Sequence, residues 1–106
     1  MKFFAENLEQ AFVELVVRKA GSTEEALKGF AERVWPDRDE KRAHEKIKLL
    51  TDGYSPKIKG SRAGKRQRLI FGDAQRMAQV LGHPLGYLVT LAEENVHREA
   101  QGLEPY

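Results

Sequence analysis

Cysteine is absent from the 106 residues, tryptophan occurs once, and aromatic residues make up only 8% of the chain. Without cysteine there are no disulfides and no thiolate metal sites, a composition compatible with a reducing cytoplasm. No apolar run approaches the ~20 residues that a bilayer span needs. The start, Met1-Lys2-Phe3-Phe4-Ala5-Glu6-Asn7, turns polar too early for a secretion signal. Also missing are a glycine-rich phosphate loop, a nucleophile elbow and paired inward carboxylates. His44, His83 and His97 fall on different predicted elements, and Glu40 with His44 reads as a surface pair rather than a metal site. These absences argue against an enzyme and against any cofactor. The length suits one domain with a modest core, so function is expected on a single surface.

What the chain does have is a segregated charge. Residues 37–68 carry eleven lysines and arginines against five acids, a net +6 in a chain whose total is only +2. Positive charge gathered in one contiguous third is the footprint of a surface that meets phosphates. A solvated charged face with a loose basic loop is the plainer reading of such a run.

Helical periodicity dominates elsewhere. Phe4, Leu8, Ala11, Phe12 and Leu15 predict a first helix from about Ala5 to Ala20, ended by Gly21. Val13 and Val17 lie roughly opposite that stripe, which calls for either a second contact within the chain, with the C-terminal helix, or a dimer interface. Ser22-Thr23-Glu24-Glu25 reads as a capping box that opens a second helix, buried through Leu27, Phe30, Ala31 and Val34 and stopped at Trp35-Pro36. Asp37-Arg38-Asp39-Glu40 repeats the device, so a third helix is predicted from about Arg38 to Leu50, closed at Thr51-Asp52-Gly53.

At 100° per residue, Ala43, Ile47 and Leu50 of that third helix face the core. Arg38, Lys41, Glu45 and Lys48 lie on the far side, flanked by Arg42 and His44. Long hydrogen-bonding side chains on an exposed helix suit the major groove of double-stranded DNA. The segment from Tyr54 to about Ile70 has no periodicity and six basic residues with no acid: Lys57, Lys59, Arg62, Lys65, Arg66 and Arg68. It is expected to be an arm that orders on phosphates and enters the minor groove through Arg62, Lys65 or Arg66. A solvated loop is the alternative.

Ile70 and Phe71 are expected to anchor the end of this arm in the core. Ala74, Met77, Ala78 and Leu81 predict a fourth helix between Gly72-Asp73 and Gly82. Pro84 opens a fifth, with Leu85, Leu88, Val89, Ala92 and Val96 inward and Tyr87 and Leu91 available to a partner subunit. Residues after about Arg98 are expected to fray.

In this order of elements, Phe30-Ala31-Glu32-Arg33-Val34 and the run from Arg68 through Met77-Ala78-Gln79-Val80-Leu81-Gly82-His83-Pro84-Leu85-Gly86-Tyr87-Leu88 resemble the lambda-repressor-like, or Cro/Xre-type, helix-turn-helix family. The resemblance covers roughly residues 8 to 92. It implies an all-α, five-helix DNA-binding domain, usually a homodimer, whose third helix enters the major groove in transcription control. Leu27 stands where the family often carries a glutamine, and the link between the third and fourth helices is longer than usual. The reading is therefore one helix-turn-helix domain with its core at about 5–97 and a basic arm at about 54–70. A protein-interaction module, such as an antitoxin or adaptor with DNA contact secondary, is the alternative.

Overall fold

The apolar stripes do close into helices that share one core. The structure, a computed structural model, describes residues 4–52 and 68–106, apart from the side chains of 4–6 and 52. Among the described residues there are five helices and no strands: α1 (Phe4–Ala20), α2 (Glu24–Val34), α3 (Glu40–Asp52), α4 (Phe71–Leu81) and α5 (Leu85–Ala100). No described helix is long and apolar enough to cross a membrane. α1 lies chiefly against α5, and α2 against α3, while α4 bridges α2 and α5. Phe12, Leu15, Phe30, Ile47, Met77 and Leu88 meet in the middle, all buried.

Helix ends follow local chemistry, with shifts from the predicted register. α1 stops at Gly21, whose φ of 108° suits glycine. α2 starts one residue later than the capping box predicted, because Thr23 and not Ser22 is the N-cap. The Thr23 hydroxyl accepts from the Ala26 amide at 3.2 Å. Three residues beyond Thr23 stands alanine, so the reciprocal carboxylate of a capping box is missing. α3 likewise begins at Glu40 rather than Arg38. The Arg38 amide donates to the Trp35 carbonyl at 3.1 Å, which uses Pro36 and Asp37 in a turn. Asp39 then caps α3 by accepting from the Arg42 amide at 2.8 Å. Asp37 is left exposed, 3.6 Å from Arg76.

Three further expectations are corrected. Ile70 and Phe71 do not enter the core; they are 59% and 76% exposed. Leu69 takes the inward place instead, and the first turn of α4 overhangs a groove rather than filling it. Val13 is buried within the chain, and Val17 packs partly against the core beside Leu50 of α3, so both serve an intramolecular contact. Both valines line a shallow groove shared with Leu50 and Thr51 of α3. The end of the chain does not fray. Gly102 (φ 76°) turns it back, the Leu103 amide donates to the Arg98 carbonyl at 2.8 Å, and Arg98 Nε donates to the Glu104 carbonyl at 2.6 Å. The Tyr106 amide reaches Asn95 Oδ1 at 2.6 Å, and the Arg98 guanidinium sits 4.5 Å from the centre of the Tyr106 ring.

A buried polar cluster ties the middle helices together. Asp73, in the first turn of α4, accepts from the Trp35 indole at 2.9 Å through Oδ1 and pairs with Lys46 Nζ at 3.2 Å through Oδ2. The Lys46 ammonium also lies 5.4 Å from the centre of the Trp35 ring. One carboxylate therefore joins the end of α2, the inner edge of α3 and the start of α4. A buried charge is tolerated because both its oxygens are satisfied.

Candidate nucleic-acid interface

α3 owes its position to three side chains. Ala43, Ile47 and Leu50 are 0–1% exposed and pin one stripe of the helix to the core. The same phase turns Lys41, Arg42, Glu45 and Lys48 outward, all exposed. Lys46, between the stripes, is drawn in by Asp73 and is unavailable to a ligand. His44 is half-buried, and its Nε2 is enclosed without a hydrogen-bond partner, so it belongs to the edge of this face. Arg38 is exposed but precedes the helix, in the turn after Trp35.

The outward face is rich in hydrogen-bonding groups, and its excess of basic side chains is offset by neighbouring carboxylates. Lys48 lies 3.5 Å from Glu24 of α2, Arg42 lies 3.5 Å from Asp39, and Lys28 of α2 lies 3.7 Å from Glu40. Such exposed pairs are worth only about 0–1 kcal/mol each, so a phosphate or base edge can displace them. At the start of α3 two carboxyls share a site. A hydrogen bond with Glu40 and burial raise Glu32 above the ordinary carboxyl range, while that bond and nearby Lys28 hold Glu40 below it. Residues 37–52 carry five basic and five acidic side chains, so they sum to zero. The whole +6 of the charged third therefore resides in residues 53–68.

Of that basic segment, Lys57, Lys59, Arg62, Lys65 and Arg66 lie outside the described residues, as does the expected arm up to Gln67. Arg68 is described, and it is tied to α1 rather than to α3. Its Nε donates to Glu9 Oε2 at 2.9 Å, and the Leu69 amide donates to Glu9 Oε1 at 3.3 Å. The Glu9 side chain is only 10% exposed, whereas Arg68 keeps 66% of its side chain in solvent. The segment's C-terminal root is thus fixed on α1.

The structure therefore brings Lys41, Arg42, Glu45 and Lys48 onto one exposed face, with Arg38 and His44 at its margins and Arg68 apart. Sequence reasoning missed Glu9 and Asp73. Glu9 is one of three glutamates on a predicted amphipathic helix, and its partner is 59 positions away. Asp73 reads as an ordinary first-turn acid, and nothing local pairs it with an indole 38 positions earlier. No group of three or more histidine, aspartate or glutamate side chains able to hold a metal occurs among the described residues. Compared with protein-family models, with curated proteins and with solved structures, the chain matches none.

Proposed function

We propose that this chain is a sequence-specific DNA-binding regulator of the lambda-repressor-like helix-turn-helix kind, acting as a homodimer. In this reading α3 enters the major groove, and the basic residues of 53–68 meet phosphates or the minor groove. The observation that carries it is the face of α3: a helix pinned to the core by Ala43, Ile47 and Leu50 offers Lys41, Arg42, Glu45 and Lys48 to solvent together. Arginine and lysine can donate to guanine, and a carboxylate can accept from the cytosine amine. α2 and α3 pack as a pair joined by the short turn at 35–39, which supports the helix-turn-helix assignment.

Charge divides the labour. Residues 37–52, which are α3 with its preceding turn, sum to zero and contribute little nonspecific attraction, so affinity rests on the basic segment and discrimination on α3. Lys41→Ala or Arg42→Ala should cost ~1–3 kcal/mol on the preferred site and relax base preference there. Lys65→Ala or Arg66→Ala should weaken binding to every duplex and lower the slope of log K against log salt by about 0.9 for each phosphate no longer neutralised. Equal effects of all four changes on preferred and random duplex would remove base readout by α3.

A second reading is favoured by one observation. The apolar groove beside Ile70 and Phe71 suits a protein interaction module, with DNA contact secondary. It predicts no enrichment of any sequence from a random duplex pool.

A further inference from the structure

Among the polar contacts that α3 makes with other helices, the pair of Lys46 with Asp73 stands apart. Lys46 Nζ lies 3.2 Å from Asp73 Oδ2, and the two side chains are only 13% and 11% exposed. On its opposite flank α3 meets α2 through Lys28 with Glu40 at 3.7 Å and Lys48 with Glu24 at 3.5 Å, and these four side chains are 46–72% exposed. Exposed pairs yield to water and salt, whereas a buried pair is screened far less. The stripe of Ala43, Ile47 and Leu50 presses α3 onto the core, but apolar attraction has no direction, so it fixes the depth of the helix more firmly than its roll. Asp73 is itself held in place. Its Oδ1 accepts from the Trp35 indole at 2.9 Å, and the first turn of α4 favours a carboxylate there.

Lys46 follows Arg42 by four residues, so the two side chains are about 40° apart around the helix. Any roll at Lys46 is therefore passed directly to the groups offered to solvent. With side chains reaching ~6 Å from the axis, a roll of about 10° displaces them by ~1 Å. Good hydrogen-bond distances span only ~0.5 Å, so such a displacement is enough to lose a base contact. We infer that the Lys46–Asp73 pair sets the roll of α3 about its own axis, and thereby which base sequence Lys41, Arg42 and Glu45 can read. Lys46 and Asp73 are positioning residues, since neither lies on the outward face. Base readout rests on the function proposed above; the roll itself does not, and can be measured without DNA.

Two variants of the full chain remove the pair with little change of shape: Asp73→Asn, which keeps an acceptor for the indole, and Lys46→Met. Residual dipolar couplings of the α3 amides vary periodically along the helix, and the phase of that variation reports its roll. In the free protein the phase should move by about 10° or more in both variants, with helix content by circular dichroism unchanged. A second measurement compares affinities for the selected duplex and for random duplex over a series of salt concentrations. Partial unfolding would lower both affinities by the same factor and leave their ratio as it was. A mis-set α3 should instead lower the ratio about tenfold, as one lost base contact does, while the salt slope stays at the wild-type value because the basic segment is untouched. An unmoved phase in both variants, or a moved phase with the wild-type ratio, would overturn the inference. A wild type that prefers no duplex would sink the regulator reading instead, and the phase alone would then decide whether this pair sets α3.

Discussion

Asp73→Ala is the substitution whose cost the structure predicts most directly. Asp73 is 8% exposed, and its carboxylate satisfies two groups: the Trp35 indole at 2.9 Å and Lys46 Nζ at 3.2 Å. Removing it leaves the indole donor unpaired in a site where Trp35 is 2% exposed, a loss of ~1–3 kcal/mol. It also strands an ammonium whose side chain is 13% exposed. Breaking a fully buried pair costs ~3–5 kcal/mol, and the ability of Lys46 to turn toward solvent reduces that share. A total of ~3 kcal/mol follows, and at ~4–8 °C per kcal/mol for a small domain the melting temperature should fall by about 15 °C. Asp73→Asn keeps an acceptor for the indole and loses only the charge, so ~1–2 kcal/mol is expected. Urea titration read by Trp35, the sole tryptophan, places the reporter inside the perturbed cluster. A cycle combining Asp73→Asn with Lys46→Met should return a coupling energy of ~1 kcal/mol or more. If Asp73→Ala costs less than about 0.5 kcal/mol, as an ordinary surface change would, the cluster does not hold α3 and α4 together.

Other substitutions separate local claims. Thr23→Ala should destabilise by ~1 kcal/mol in urea melts while Ser22→Ala stays within about 0.5 kcal/mol, because only Thr23 caps α2. A reversed order would restore the capping box. Gly21→Ala should destabilise, since the new Cβ would sit 2.8 Å from Ala26 Cβ at a φ of 108°. Gly86→Ala meets nothing within 4 Å inside α5 and should stabilise by about 0.5–1 kcal/mol in the same assay. The raised carboxyl of Glu32 means that its ionised form is disfavoured in the folded state. That penalty is present at neutral pH and disappears as pH falls through the raised value. Glu32→Gln should therefore raise the urea midpoint at about pH 7 and raise it less as the medium is acidified, because protonation then removes the disfavoured charge. A larger gain at the acidic pH would contradict the assignment.

Core faces were legible because helical periodicity is written locally. Ala43, Ile47 and Leu50 recur one turn apart, and nothing but a buried stripe accounts for them. Gly21 and Gly82 were legible as stops for the same reason, both adopting the left-handed backbone that glycine favours. Caps were ambiguous because Ser22 and Thr23, like Asp37 and Asp39, are all competent N-caps. The turn closed onto the Trp35 carbonyl decides between the two acids. Ile70 and Phe71 misled because hydrophobicity alone does not tell a buried residue from one at the rim of a groove. Asn95, fully buried on α5, sits seven positions after Leu88 on the inward stripe, yet its use became apparent only when the Tyr106 amide folded back onto it. Arg68 was read with its basic neighbours, since a pairing with Glu9 on α1 leaves no mark in either local pattern.

The central claim is that α3 reads base sequence while the basic segment supplies attraction. Selection from a random duplex pool at about 0.15 M salt, where screening suppresses purely electrostatic binding, tests it directly. The account predicts an enriched motif with two-fold symmetry and half-sites about 34 Å apart, absent in a variant carrying both Lys41→Ala and Arg42→Ala. A pool that emerges unenriched, or a motif unchanged in that variant, would contradict it.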